Sequence, residues 1–430
     1  MCAIGLFGNG RMTTLDAAAS AVQANPSAPA GIARFIGRGK TFWRLLSRGA
    51  VLLMFTLGIY RFWLTTDIRR YLWSNTELAG ESFEYAGTAY ELLLGFLIAL
   101  AVLVPFYAAF FLLTQAPGNI WSLLGLLILI FLSQYAVYRA RRYRLTRTIY
   151  RGVRFHQTGS AFLYSVCAVL WWALIVLSAG LAYPFAQSQL EHFKMRHTFF
   201  GNLPGRFEGS GWHLLVRGLP LWAFTVVPFT IGAVATIHAI DWHALNTASG
   251  ADVRATSIEA SGFEGIDVIV ALTGAWLLCS IALLYPIFHA ILLRWWVSGL
   301  RFGDVAVKSR LHIARVFGVY ARFFGYATLF TAIAGTLLGI GAFGLSKIIG
   351  GPFSMRDEII TTVLSLAAYA AIALGYWTIY QATVKLGLWR CVIESLEVSN
   401  LAKLGQVTAA GEAASAVGEG LADALNVGGI

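Results

Sequence analysis

Long apolar runs alternate along this chain with short polar stretches in which arginine is the commonest charged residue. Residues 92–113, 120–138, 219–237, 268–293, 323–345 and 359–380 are each close to the twenty or so apolar residues that cross about 30 Å of hydrocarbon. Two further runs, 49–60 and 162–185, are also predicted to be membrane-embedded, although the first is only twelve residues long. The pattern predicts an all-α polytopic membrane protein with about eight membrane-embedded helical segments. The Pro117-Gly118-Asn119 turn should join 92–113 and 120–138 as a helical hairpin. Residues 1–30 and 396–430, rich in Ala and Gly, are expected to be tails on a membrane domain spanning 31–395.

The polar stretches repeat one another. Arg69-Arg70-Tyr71, Thr76, Gly80, Phe83 and Gly87 recur 72 residues later as Arg141-Arg142-Tyr143, Thr148, Gly152, Phe155 and Gly159 without a gap. A looser copy reads Arg196, Thr198, Gly201, Phe207 and Gly211, and Phe35-Ile36-Gly37 begins the series. Likewise Thr56-Leu57-Gly58-Ile59 aligns with Ser178-Ala179-Gly180-Leu181. Aromatics at strand ends and glycines at turns predict short β elements between helices, gathered on one face of the membrane. Internal repeats of this kind are a feature of transporter folds.

Composition agrees with this picture. Charged residues are 12% and hydrophobic residues 58% of the chain, with mean hydropathy +0.68, whereas a soluble domain has about a quarter charged residues. The net charge of +11 sits in the loops, which favours anionic membrane lipids over nucleic acid as the partner. Residues 139–154 hold seven arginines and no acid, which places that loop in the cytoplasm. Residues 238–267, with five acids against Arg254, then belong outside, and the C-terminus inside. Runs 49–60 and 162–185 have basic flanks at both ends, a conflict that a shared re-entrant geometry removes; the alternative is that both span and one loop breaks the charge rule.

The signature Thr56-Leu57-Gly58-Ile59-Tyr60, Trp63, Arg70-Tyr71, Asn75-Thr76, Gly80, Phe83-x-Tyr85-x-Gly87-Thr88 resembles that of the YjgN family of bacterial inner-membrane proteins. The tail motif Gly418-Glu419-Gly420-Leu421-Ala422-Asp423-Ala424-Leu425 is similar to that family's C-terminus as well. The resemblance implies a multi-pass inner-membrane protein and supplies no catalytic residues.

Enzyme signatures are lacking: the chain has no His-Glu-x-x-His, Gly-x-Ser-x-Gly or phosphate-binding loop. It is read as a non-enzyme that needs no cofactor. The four cysteines form no Cys-x-x-Cys pair. His238, Asp241 and His243 come nearest to a metal constellation, yet their loop reads more simply as an interfacial segment. Ionisable groups in or beside apolar runs are candidates for a solute pathway, here His289, Glu91 and Lys385. The paired arginines Arg69, Arg70, Arg141 and Arg142 are candidate lipid-headgroup contacts. Two functions follow, a transporter or channel for a small solute or lipid, and a scaffold or envelope-maintenance protein that binds anionic lipid or a protein partner.

Overall fold

The polar stretches that repeat fold as β-hairpins, and the pairs of apolar stretches between them as helical hairpins. The computed structural model describes residues 33–114, 120–239, 266–348, 355–410 and Asp423. The first unit comprises β1 (Ala33–Phe35), α1 (Gly39–Phe55), α2 (Arg61–Ser74), β2 (Thr76–Leu78) and β3 (Glu81–Ser82). The second is β4 (Glu84–Tyr85), α3 (Ala89–Thr114), α4 (Ile120–Thr146) and β5 (Thr148–Tyr150). Next come β6 (Val153–Gln157), α5 (Ala161–Leu177), α6 (Tyr183–Arg196) and β7 (Thr198–Phe200), then β8 (Leu203–Phe207), α7 (Gly211–Ala239), α8 (Ile266–Ser298) and β9 (Leu300–Phe302). The last unit is β10 (Val305–Ser309), α9 (Ile313–Ile348), α10 (Met355–Tyr380), a π-helical turn (Gln381–Lys385), α11 (Leu386–Glu394) and β11 (Leu396–Ser399). A 3-10 turn, Leu401–Gln406, follows.

The residues that recur in the sequence make the same local structures. At the end of the second helix of a unit, a threonine hydroxyl donates to the carbonyl four residues back. Thr76 bonds Leu72 O at 2.7 Å, Thr148 bonds Arg144 O at 2.9 Å and Thr198 bonds Lys194 O at 2.7 Å. The strand that follows turns where two consecutive residues have positive φ, Ala79-Gly80 and Arg151-Gly152. This turn conformation matches the twist of the antiparallel strands it joins. The helical hairpins α1–α2 and α5–α6 also share one turn. Two consecutive residues have positive φ there, Leu57-Gly58 (50° and 89°) and Ala179-Gly180 (49° and 91°), and glycine takes the second position, where a side chain is disfavoured. The preceding hydroxyls, Thr56 and Ser178, accept from the backbone N–H groups of Tyr60 and Ala182 at 3.1 and 2.9 Å.

The strands form two antiparallel sheets. Eight run in the order β4 to β11, three in the order β1-β2-β3, and only Phe83 separates β3 from β4. β1 lies against β11, and every helix packs on its neighbour in the series, with α10 against α1, so ten helices close a ring over the strands. Phe42, Leu46, Leu64, Ile68, Leu72 and Leu386 form the core where the last unit meets the first. Beyond Tyr320, α9 has no buried residue as far as Gly344. The packed core therefore lies at the strand end, and the far parts of the long helices present apolar surface, as lipid-facing helices do.

Among the described residues six helices are long and apolar enough to cross a membrane: Ala89–Phe111, Leu124–Thr146, Gly211–His238, Val268–Ser298, Ile313–Gly344 and Asp357–Glu394. The two remaining segments of the expected eight are not single helices. Residues 49–60 are the second half of α1 plus a turn, and 162–185 cover α5, the matching turn and the start of α6. Apolar or small turn residues, Leu57-Gly58-Ile59 and Ala179-Gly180-Leu181, hide the reversal from a reading of hydropathy. The expected β elements are present and pair, joining into continuous sheets. β11 continues the sheet within residues assigned to the C-terminal tail.

Gly49 sits where α1 crosses α2, and a Cβ there would lie 2.4 Å from Leu64 Cδ1. Gly49→Val should destabilise the protein by about 1–3 kcal/mol through overpacking. Gly39→Ala, which meets open space, should be neutral in the same melting experiment in detergent micelles.

Candidate functional site

Charged side chains converge inside the helix ring near the strands. Arg69 reaches in from α2, and its guanidinium forks onto the Asp423 carboxylate. Nη1 bonds Oδ2, and Nη2 donates to Oδ1 at 3.0 Å. Nη1 also donates to the Tyr85 hydroxyl at 3.0 Å. Arg144, on α4, places Nε 3.6 Å from Asp423 Oδ1. The pair is enclosed, with side-chain exposures of 2% for Arg69 and 1% for Asp423. Burial holds the Tyr85 phenol above its ordinary pKa, so at neutral pH it is a hydroxyl that accepts from Arg69. An arginine–carboxylate fork is a strong, geometrically specific contact.

Further cations stand around this pair. Lys385, in the π-helical turn, feels the charges of both Arg69 and Arg144. Turns of this kind often occur at functional sites. Arg141, one turn before Arg144, donates to Gln157 Oε1 at 3.0 Å and to Thr198 Oγ1 at 2.9 Å. Lys194 pairs with Glu191 on α6 and feels the charges of Arg141 and Arg144, while Trp296 of α8 bonds Glu191. All five helical hairpins thus contribute. The named groups are five basic side chains, Arg69, Arg141, Arg144, Lys194 and Lys385, against the two carboxylates Glu191 and Asp423. Burying an ion costs several kcal/mol unless its partner is well placed, and here donors remain in excess. Arg69 Nε and Arg144 Nη1 are buried without a hydrogen-bond partner among the described residues.

The 72-residue register reappears in the contacts. Arg69 bonds Tyr85 and Arg141 bonds Gln157, each sixteen residues ahead. These two arginines, candidate lipid contacts by sequence, therefore point into the ring. Arg70 is exposed and donates to Gly87 O at 3.1 Å, and Arg142 follows Arg141 on α4. Glu91 accepts from the Tyr143 hydroxyl at 2.6 Å and pairs with Arg147 at 2.9 Å, which fixes the start of α3 to the end of α4. His289 bonds the Tyr320 hydroxyl at 2.8 Å between α8 and α9, and α8 continues through Pro286 as helix. His238 is exposed at the end of α7, while Asp241 and His243 lie outside the described residues. Among the candidates, Lys385, Arg69 and Arg141 come together. Arg144, Lys194, Glu191 and Asp423 complete the cluster. Arg144 lies in the arginine run 139–154 and Asp423 in the tail motif, but nothing in the sequence linked the two, and Glu191 and Lys194 belong to neither.

A cavity of about 250 Å³ lies outside the cluster, lined by Tyr183, Pro184, Gly218, Trp222 and Phe288 among others. It opens between the α5–α6 hairpin and helices α7 and α8, and its lining is apolar.

The model of a family described as bacterial protein of unknown function, DUF898, matches residues 32–424, nearly the whole of the fold just described. The chain belongs to this family. It is 29% identical to the inner membrane protein YjgN of Escherichia coli O157:H7 over 168 residues, 38% of this chain and 39% of that protein. To the inner membrane protein YjgN of Escherichia coli strain K12 it is 30% identical over 125 residues, 28% of this chain and 29% of that one. The resemblance to the YjgN family is thus borne out, over less than half of the length of these relatives. No solved structure matches the chain. Its six long apolar helices fit a multi-pass membrane protein.

Proposed function

We propose that this protein is an inner-membrane transporter or channel for a small anionic solute. The observation that carries the reading is the meeting of Arg69 and Arg144 at the enclosed Asp423 carboxylate, with Arg141, Lys194 and Lys385 in electrostatic range of them, so that basic groups come from four helical hairpins. Enclosed cations in excess over carboxylates attract an anion, and low dielectric strengthens that attraction. The names of the YjgN relatives support the inner membrane as the location. The repeated strand–helix–helix–strand order supports an origin by internal duplication. The competing role, a scaffold held to anionic lipid through paired arginines, is weakened because Arg69 and Arg141 are engaged inside the ring. In this reading the protein carries no enzymatic activity.

The positive-inside bias favours a cytoplasmic strand end, since residues 139–154, 294–322 and the C-terminal segment all lead to it. The pairs α1–α2 and α5–α6 are read as re-entrant hairpins that start and finish at that face. The full chain in liposomes should take up labelled phosphate or succinate saturably, with potassium excluded. Arg144→Gln should lower anion uptake at least tenfold while the variant remains folded by melting. Uptake of cations alone, or equal anion uptake by Arg144→Gln, would refute the proposal.

A further inference from the structure

The occupant of the basic cluster is part of the chain itself. Asp423 offers its carboxylate to the Arg69 fork as a soluble carboxylate would, with Arg144 on the other side of Oδ1. After β11, Asn400 donates to Asp304 O at 3.0 Å, and Leu404 and Val407 pack into the aromatic cluster of Tyr150, Phe200, Phe155 and Phe302 on the sheets. The Thr408 N–H then donates to Asn202 Oδ1 at 3.3 Å. Residues 400–408 are thereby held against the strand end of the ring, where Asp423 also lies.

Two features suit a replaceable ligand better than a permanent structural tie. Asp423 leaves the cluster under-filled, with Arg69 Nε and Arg144 Nη1 still lacking acceptors among the described residues and Lys385 adding a further basic group within electrostatic range of both arginines. A phosphate or dicarboxylate carries more acceptor oxygens and more charge, so it satisfies groups that one aspartate does not. Asp423 also lies beyond β11, the last strand, and so outside the strand and helix pattern that builds the ring. A tethered ligand acts at an effective concentration in the millimolar range, enough to hold an unliganded site closed while yielding to a better anion.

We propose that Asp423 is an intramolecular competitor for the oxyanion site, so that the C-terminal segment sets the apparent affinity of the protein for its solute. The inference rests on the reading of the cluster as the solute site. Its test compares the full chain with Asp423→Asn and Arg144→Gln. Asp423→Asn should lower the KM for phosphate or succinate uptake at least tenfold. Phosphate should raise the melting temperature of that variant in phosphatidylcholine nanodiscs at concentrations that leave the wild type unmoved. Recovery of folded Asp423→Asn only from membranes extracted in phosphate would support the inference equally. Asp423→Glu, which keeps the carboxylate, should retain a KM near that of the wild type. An unchanged KM and melting temperature in Asp423→Asn would overturn the competition. If Arg144→Gln still abolished uptake, the transport reading would survive that result. Stabilisation of Asp423→Asn by phosphatidylglycerol nanodiscs and not by phosphate would keep the competition but assign the site to a lipid headgroup, against the solute reading. Failure to recover Asp423→Asn with or without phosphate would make the contact a structural tie and end the inference.

Discussion

Arg69→Ala is expected to cost about 3–5 kcal/mol of folding stability, the largest loss anticipated from a single substitution in this chain. The reason is the enclosure of its partner. Asp423 is almost fully buried and receives two hydrogen bonds from this guanidinium, whereas Arg144 approaches it only at 3.6 Å. Removing Arg69 leaves a carboxylate in a poorly solvated place and withdraws the donor from the Tyr85 hydroxyl as well. The double variant Arg69→Met with Asp423→Leu should recover much of the loss, because replacing both members of a buried pair by apolar groups is far less costly than breaking it. Arg70→Ala, one residue along but exposed, should cost no more than about 1 kcal/mol. Tryptophan fluorescence during denaturation in micelles would report all three. A loss below about 1 kcal/mol for Arg69→Ala, the range of an exposed ion pair, would mean that Asp423 escapes to water once its partner is gone.

Much of this architecture was legible along the chain because its repeating parts are local. Thr76, Gly80 and Gly87 recur at Thr148, Gly152 and Gly159 because a helix end, a strand turn and a strand exit each need those residues, and such needs are met within a few positions. The match of Thr56-Leu57-Gly58-Ile59 to Ser178-Ala179-Gly180-Leu181 likewise reports one turn with one set of dihedral angles. The ring and its cluster were not legible, because they depend on pairings across the whole chain. β1 meets β11, and Arg69 meets Asp423 across 354 residues. Strands of two to five residues carry too few positions to reveal their partners. Arg69 and Arg70 are adjacent and chemically alike, yet one is buried and the other exposed. Charge and hydropathy do not separate them. The direction of each side chain follows from where α2 packs, and that is fixed by Leu64, Ile68 and Leu72 against α1 and α11.

Cysteines placed at Glu81, Arg151, Asn202 and Asp304 in a background free of native cysteine are expected to react together, from the cytoplasmic side only. All four positions are exposed in or beside the strand turns, and the antiparallel register that joins the strands puts these turns on one face. An impermeant maleimide should therefore label all of them in inverted vesicles and none in intact cells. Cysteines at Leu57 and Ala179 should resist that reagent from both sides and react with a lipid-soluble one. These two sit in the turns of the short hairpins, where Leu57 is 94% exposed and its neighbour Phe55, like Leu177 beside the second turn, is largely uncovered. Such surface is stable in hydrocarbon and unfavourable in water. The returning helices α2 and α6 have fourteen residues each, a rise of about 21 Å, which falls short of a bilayer core of about 30 Å. Arg61, the one cation beside the first turn, lies over the rings of Phe62 and Phe96 at 5.0 and 4.9 Å, contacts that ease its placement at depth. Labelling of Leu57→Cys by the impermeant reagent in intact cells would show that α1 and α2 reach the outer face. The re-entrant geometry would then be wrong, while a shared reaction of the four turn positions would still stand for the common strand face.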